Sequence, residues 1–445
     1  MSLKTNSPTT VEHGAVELLP ISPHINNVSE STSQVTPTGR QEIVDDAPDG
    51  GYGWIITAAC SVLCFFLVGL GYSWGVMQAR LAAENLAADS TLAFIGSTAV
   101  SCVSFGAVLN GRLIRHIGTR NSALVASILM GSGLILSGWA TKSVPGLFIT
   151  NGLIMGYGIS VAFMAGGTLP SQYFTKKRGI ANGLVFAGGG IGGAVLSVSM
   201  QALLNRVGVA WTFRILGFVT LAATIPAAML LKERTRRASS SIEWSLFRDP
   251  KFVLLFVGSG IATFPLLVPP FFIPLYASSI GITAGTGSVL VAVYNLSSAC
   301  GRVGFGFLGD YIGPTSSLAL SMVITALSML AIWPVSSSIA PFIAFTVING
   351  VGNGGFFSTI PSVVGHIYGP TRVPPALAMV VTAWAAGYFM GAPVAGYILE
   401  RYGGAEAGQA AFRPAMYYAG SMSLASAMII FAIRHQMTRN FFAFA

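Results

Sequence analysis

Twelve predominantly apolar stretches of 18 or more residues follow one another along this chain, at roughly 54–78, 92–111, 121–141, 146–168, 179–204, 211–231, 252–277, 285–309, 316–335, 340–365, 374–399 and 412–433. Each is long enough to cross a hydrocarbon core of about 30 Å as a helix, and the longest tilt or run past the bilayer. The expected fold is therefore all-α, with twelve transmembrane helices. A soluble surface needs about a quarter of its residues charged. Only 9% are charged here, against 53% hydrophobic.

The first fifty residues are rich in Ser, Thr, Pro and Asn and contain no apolar core. They lack the apolar region of a secretory signal and read as a disordered cytoplasmic tail over 1–48. With that end in the cytoplasm, seventeen Lys/Arg residues fall in cytoplasmic segments and six outside, and Arg302 is the remaining one. The net charge of +9 thus sets orientation and meets anionic headgroups; basic residues spread over membrane connections exclude nucleic acid as a partner. Cys60, Cys64, Cys102 and Cys300 all lie in apolar stretches, where small-residue packing is expected and neither a disulfide nor a metal site.

The longest polar interruption after the tail, 232–251, divides the chain into six-helix halves at 49–231 and 252–434, with a short cytoplasmic tail at 435–445. Three residue sets recur across it at offsets of 195 to 199. Gly111, Leu113 and Gly118 match Gly306, Leu308 and Gly313; Asn151, Gly152 and Gly156 match Asn349, Gly350 and Gly354; Gly188 and Gly192 match Gly387 and Gly391. Parallel six-helix repeats imply a site near the midplane between halves that rock against each other. The last glycine pairs put small residues on one helix face. They are expected either as sliding, gating contacts or as close static packing.

Two motifs carry a family resemblance. Asp49-Gly50-Gly51-Tyr52-Gly53-Trp54 marks the boundary between tail and first apolar stretch, where an aspartate, glycines and rings suit a capped turn at the headgroup level. Tyr173-Phe174-Thr175-Lys176-Lys177-Arg178, followed by Ala181, Gly183, Ala187 and Gly188, leads into the fifth stretch. Together they resemble the signatures of the monocarboxylate transporter branch of the major facilitator superfamily, fungal type. The segment 306–313 resembles the wider superfamily's loop signature, which implies a cytoplasmic latch at Asp310; its first-half counterpart has Arg115 in place of the acid.

Arg302 lies inside the eighth stretch, where an unpaired guanidinium costs several kcal/mol and calls for a partner, water or an anion. The resemblance implies that it binds a substrate carboxylate, which arginine can hold through two parallel hydrogen bonds. Snorkelling to the cytoplasmic surface is the competing expectation. Proton-coupled members of the branch carry an aspartate one turn earlier, where this chain has Ser298, and a lysine near Tyr72. No Asp or Glu falls clearly inside an apolar stretch, so the lysine-and-aspartate relay is not expected. Pro265, Pro269, Pro270 and Pro274 should break the seventh stretch. Aromatic and neutral polar residues around that break and in neighbouring stretches suit a larger, partly apolar ligand. The expected substrate site is Arg302, Ser298, Asn295, Tyr72, Phe271 and Asn353.

No zinc-protease, phosphate-loop or paired-carboxylate motif is present, so neither an enzyme nor a cofactor is expected. The expectation is a secondary carrier working by alternating access. It exports a small organic anion or amphipathic secondary metabolite across the plasma membrane, both termini cytoplasmic. Uptake of a monocarboxylate or a vitamin such as riboflavin is the alternative, a vacuolar location the second choice, and a transporter-like receptor the second class. Coupling ion, accessory chain and oligomeric state stay open.

Overall fold

The computed structural model describes residues 50–166, 169–174, 178–234, 243–368 and 373–437. Asp49, Thr175, Lys176, Lys177, the tails 1–48 and 438–445 and residues 235–242 of the 232–251 connection lie outside them, as does the side chain of Arg178. The helices are α1 (Tyr52–Ala83), α2 (Asp89–Phe105), α3 (Ala107–Ser137), α4 (Val144–Leu147), α5 (Gly156–Gly166), α6 (Pro170–Tyr173), α7 (Arg178–Leu230), α8 (Pro250–Leu266), α9 (Val268–Ser279), α10 (Ala284–Ile312), α11 (Pro314–Leu327), α12 (Ile339–Tyr368), α13 (Val373–Arg401) and α14 (Gln409–Met437).

Among the described residues, nine helical segments are long and apolar enough to cross a membrane. Twelve crossings follow from how those segments turn. Helix α7 reverses at Gly208 (φ 73°), giving the fifth and sixth. Helix α3 turns at Gly118 (φ 81°), so its start completes the second crossing begun by α2. Helix α10, made less apolar by Asn295, Ser298 and Arg302, is the eighth. Gly118 and its repeat partner Gly313 (φ 88°) both occupy the left-handed region that disfavours a Cβ. The recurrence seen in the sequence is thus a shared turn.

The seventh crossing breaks between α8 and α9 at Leu267. In an unbroken helix the Leu266 carbonyl would accept from the residue-270 N–H, which Pro270 lacks. Asn353 Nδ2 donates to that carbonyl at 3.2 Å instead.

The two motifs meet in space. Tyr173 and Phe174 pack where a Cβ on Gly53 would stand, and Trp54 lies 4.8 Å from the Phe174 ring. Tyr52 donates to the Leu230 carbonyl and Tyr173 to the Lys232 carbonyl, each at 2.8 Å. The signature therefore clasps the start of α1 to α6 and the end of α7. Gly51, just before α1, has φ 57°, and Gly50 accepts from the Gly53 N–H.

Gly188 and Gly192 pack on α1, where a Cβ would overlap Ser61 and Phe65. Gly387 and Gly391 pack in the equivalent way on Thr263 and Phe264 of α8. Both pairs join helices of one half, so in this geometry they hold each half together rather than line the seam. The seam uses other glycines: Gly190 and Gly193 of α7 against Asn295 and Ala299 of α10, Gly75 of α1 against Pro270 and Phe271 of α9, and Gly396 of α13 against Ser90 of α2.

Candidate functional site

Arg302 projects from α10 into the seam and is 6% exposed. Its Nη1 donates to the backbone carbonyl of Phe186 on α7 at 2.7 Å, and its guanidinium lies over the Phe357 ring of α12 at 5.3 Å. It does not snorkel: the head group crosses to the other half. Nε has no hydrogen-bond partner. A guanidinium has five donors in a fixed fork; the Phe186 carbonyl and the Tyr72 hydroxyl, which also hydrogen-bonds to it, leave part of that capacity, Nε included, unused.

No carboxylate neutralises it. The eight acidic residues among the described ones, Glu84, Asp89, Glu233, Glu243, Asp249, Asp310, Glu400 and Glu406, all lie at helix ends or in connections. Around Arg302 stand neutral groups. Tyr72 from α1, Tyr294 from α10 and Tyr388 from α13 interact electrostatically with it and with one another. Ser298 Oγ, Asn295 Oδ1, Tyr294 Oη, Asn353 Oδ1 and Trp384 Nε1 are buried without partners. A buried polar atom left unpaired costs about 1–3 kcal/mol. Such a concentration beside an uncompensated cation is suited to a polar, anionic ligand.

Of the residues expected from sequence, Arg302, Ser298 and Asn295 share one face of α10, and Tyr72 meets them across the seam. Asn353 is already committed through its amide to the Leu266 carbonyl, so only its Oδ1 is left for a ligand. Phe271 is buried where α9 meets Gly75, and no contact ties it to Arg302. Asp310 is exposed, without an ion pair among the described residues. In the first half the corresponding region is held by Glu233, which accepts from the Thr119 N–H at 3.0 Å and from its hydroxyl. Sequence reasoning missed the Phe186 carbonyl, which no side chain betrays, and Phe357, Trp384 and Tyr388. The position of Tyr388, next to the repeated Gly387, was the one available signal.

A small cavity of about 10 Å³ lies within the first half, lined by residues including Leu70, Trp74, Met77, Asn151 and Phe213. It is not at Arg302, where the rings close on one another; the unpaired atoms, rather than open volume, define the site.

A twelve-helix bundle with a buried charged site in the seam between two halves defines a membrane carrier of small molecules. The Major Facilitator Superfamily family model matches residues 55–284 and 255–440. The chain belongs to that superfamily. It is 25% identical over 423 residues to the Aspyridones efflux protein of Emericella nidulans, covering 94% of this chain and 86% of the relative. The Agnestins efflux protein of Paecilomyces divaricatus is 25% identical over 354 residues (78% and 81% covered), and Monocarboxylate transporter 13 of Bos taurus 24% identical over 398 (88% and 91%). The crystal structure of nucleoside transporter NupG superposes with a TM-score of 0.69 at 13% identity, covering 85% of this chain and 99% of that one. The D-xylose-proton symporter gives 0.69 at 16% identity, with 85% and 97% covered. These structures share the fold.

Proposed function

We propose that this carrier exports an amphipathic organic anion, a secondary metabolite, across the plasma membrane by alternating access, with Arg302 receiving the anionic group. The observation that carries this reading is the buried guanidinium, held only by neutral groups, the Phe186 carbonyl and the Tyr72 hydroxyl, and faced by unpaired polar atoms and rings. The efflux proteins among its relatives support the direction.

The same bond suggests how binding reaches the seam. A carboxylate or enolate that takes both arms of the guanidinium competes with the Phe186 carbonyl, because it adds an opposite charge and a second parallel hydrogen bond that one neutral carbonyl cannot supply. Arg302 then leaves α7, and the α7–α10 contact at Gly190 and Gly193, free of side-chain interlock, slides. The rocking units run 49–231 and 252–434, joined by the cytoplasmic connection 232–251, with both termini in the cytoplasm.

Direction is tested by comparing metabolite distribution in cells with and without the gene. Export requires the substrate to accumulate inside deleted cells; unchanged distribution of every extracted anion contradicts it.

A further inference from the structure

Trp384, on α13, is 5% exposed, and its indole N–H has no partner. Its ring lies 5.4 Å from Phe356, 6.3 Å from Phe357 and 6.1 Å from Tyr388. Phe357 is the ring on which the Arg302 guanidinium rests at 5.3 Å. One phenyl ring therefore separates a cation whose Nε is unpaired from an unpaired neutral donor, and both lie in the same aromatic cluster. Trp333 also has an unpaired N–H. Its ring stacks on Phe345 at 4.5 Å beside Tyr276, with no contact to the Arg302 cluster, so it is core.

An indole N–H only donates, and a ligand satisfies it only with an acceptor. A ligand that also places its anion on Arg302 must carry that acceptor the width of a ring away. A small hydroxy acid, whose oxygens sit on adjacent carbons, cannot reach both points.

We infer that Trp384 is the second recognition point of the site and selects organic anions bearing a neutral oxygen acceptor, such as a ketone, ester or amide carbonyl, across a planar or apolar segment. The inference rests on the assignment of the anion to Arg302. The segment between the two polar ends lies along Phe357 and Tyr388, whose ring faces accept flat apolar groups. Trp384 thereby sets specificity, while Arg302 supplies attraction common to all anions.

The test uses the purified full-length protein in nanodiscs with two probes of similar shape, 4-acetylbenzoate and 4-isopropylbenzoate, binding followed by calorimetry. The native protein should bind the ketone about five- to tenfold more tightly, the range of one buried hydrogen bond. Trp384→Phe, which keeps a ring and removes the N–H, should bring the ratio of the two affinities to about one. Arg302→Gln should weaken both probes together. A native protein without preference for the ketone, or a Trp384→Phe variant that keeps it or loses both probes in equal proportion, overturns the role of Trp384. Undiminished binding of both probes by Arg302→Gln refutes instead the anion assignment beneath it.

Discussion

Arg302 and Phe186 are joined by a 2.7 Å hydrogen bond from the guanidinium Nη1 to a backbone carbonyl, across the seam between α10 and α7. One residue thus serves as both the site's only buried cation in the seam among the described residues and a tie between the halves. Lysine would keep the charge but lose the planar fork. Arg302→Lys should raise the KM for the transported anion by about tenfold or more, the cost of one charge-assisted hydrogen bond. Initial-rate measurements in vesicles check this.

The glycines separate into two behaviours. Gly190 faces Ala299 across the seam, whereas Gly188 faces Ser61 within one half. Overpacking costs about 1–3 kcal/mol in either place, but it should act differently. Gly190→Val is expected to arrest transport at near-normal membrane abundance, while Gly188→Val lowers the melting temperature and abundance. Fluorescence-detected size exclusion alongside transport rates distinguishes them.

The broken seventh crossing offers a pairwise test. Asn353→Ala leaves the Leu266 carbonyl without its donor, at a cost of about 1–3 kcal/mol. Pro270→Ala restores a backbone N–H one turn on. Thermal unfolding of the single and double variants should show that the double variant recovers most of the loss, a coupling that independent sites would not give.

The end of the seam at Asp89 and Glu400 should respond to pH. The Ser90 N–H of α2 donates to Glu400 of α13 at 2.7 Å, and burial together with Glu400 pushes the Asp89 carboxyl from 3.8 up to about 6. Of the other charges on the surrounding elements, Arg80 and Glu84 pair with each other at 2.8 Å, Arg401 is exposed, and Lys142 precedes α4; only Glu400 bears on Asp89. Because the closed arrangement raises this carboxyl, it binds a proton more tightly than an open one. Closure is favoured below the ordinary carboxylate value, and that advantage is lost as pH rises through about 6. Labelling of Ser90→Cys by an impermeant thiol reagent, corrected for the native cysteines, should increase between about pH 5 and pH 7.5, and Asp89→Asn should flatten the profile.

The sequence made the scaffold legible because lipid imposes length and apolarity on each crossing, and because the repeated glycines sit at repeated structural tasks: Gly118 and Gly313 at turns, Gly188 and Gly387 at helix contacts. Arg302 was legible for the same reason, as a charge where charge is costly. What the one-dimensional pattern could not convey was partnership. Nothing in it distinguishes Gly188 from Gly190, two residues apart but facing different halves, nor shows that Asn353 spends its amide on a proline-vacated carbonyl. Phe271 and Trp384 look alike as midspan aromatics; only packing puts one at the α1–α9 contact and the other beside Arg302.

The central claim is that Arg302 takes the anion. Its most direct test is counterflow of a labelled substrate anion in proteoliposomes containing either the native protein or Arg302→Gln at equal density. The native protein should give saturable counterflow that the variant lacks, with both proteins folded by their melting profiles. Equal counterflow from the two, with the same concentration dependence, would contradict the assignment.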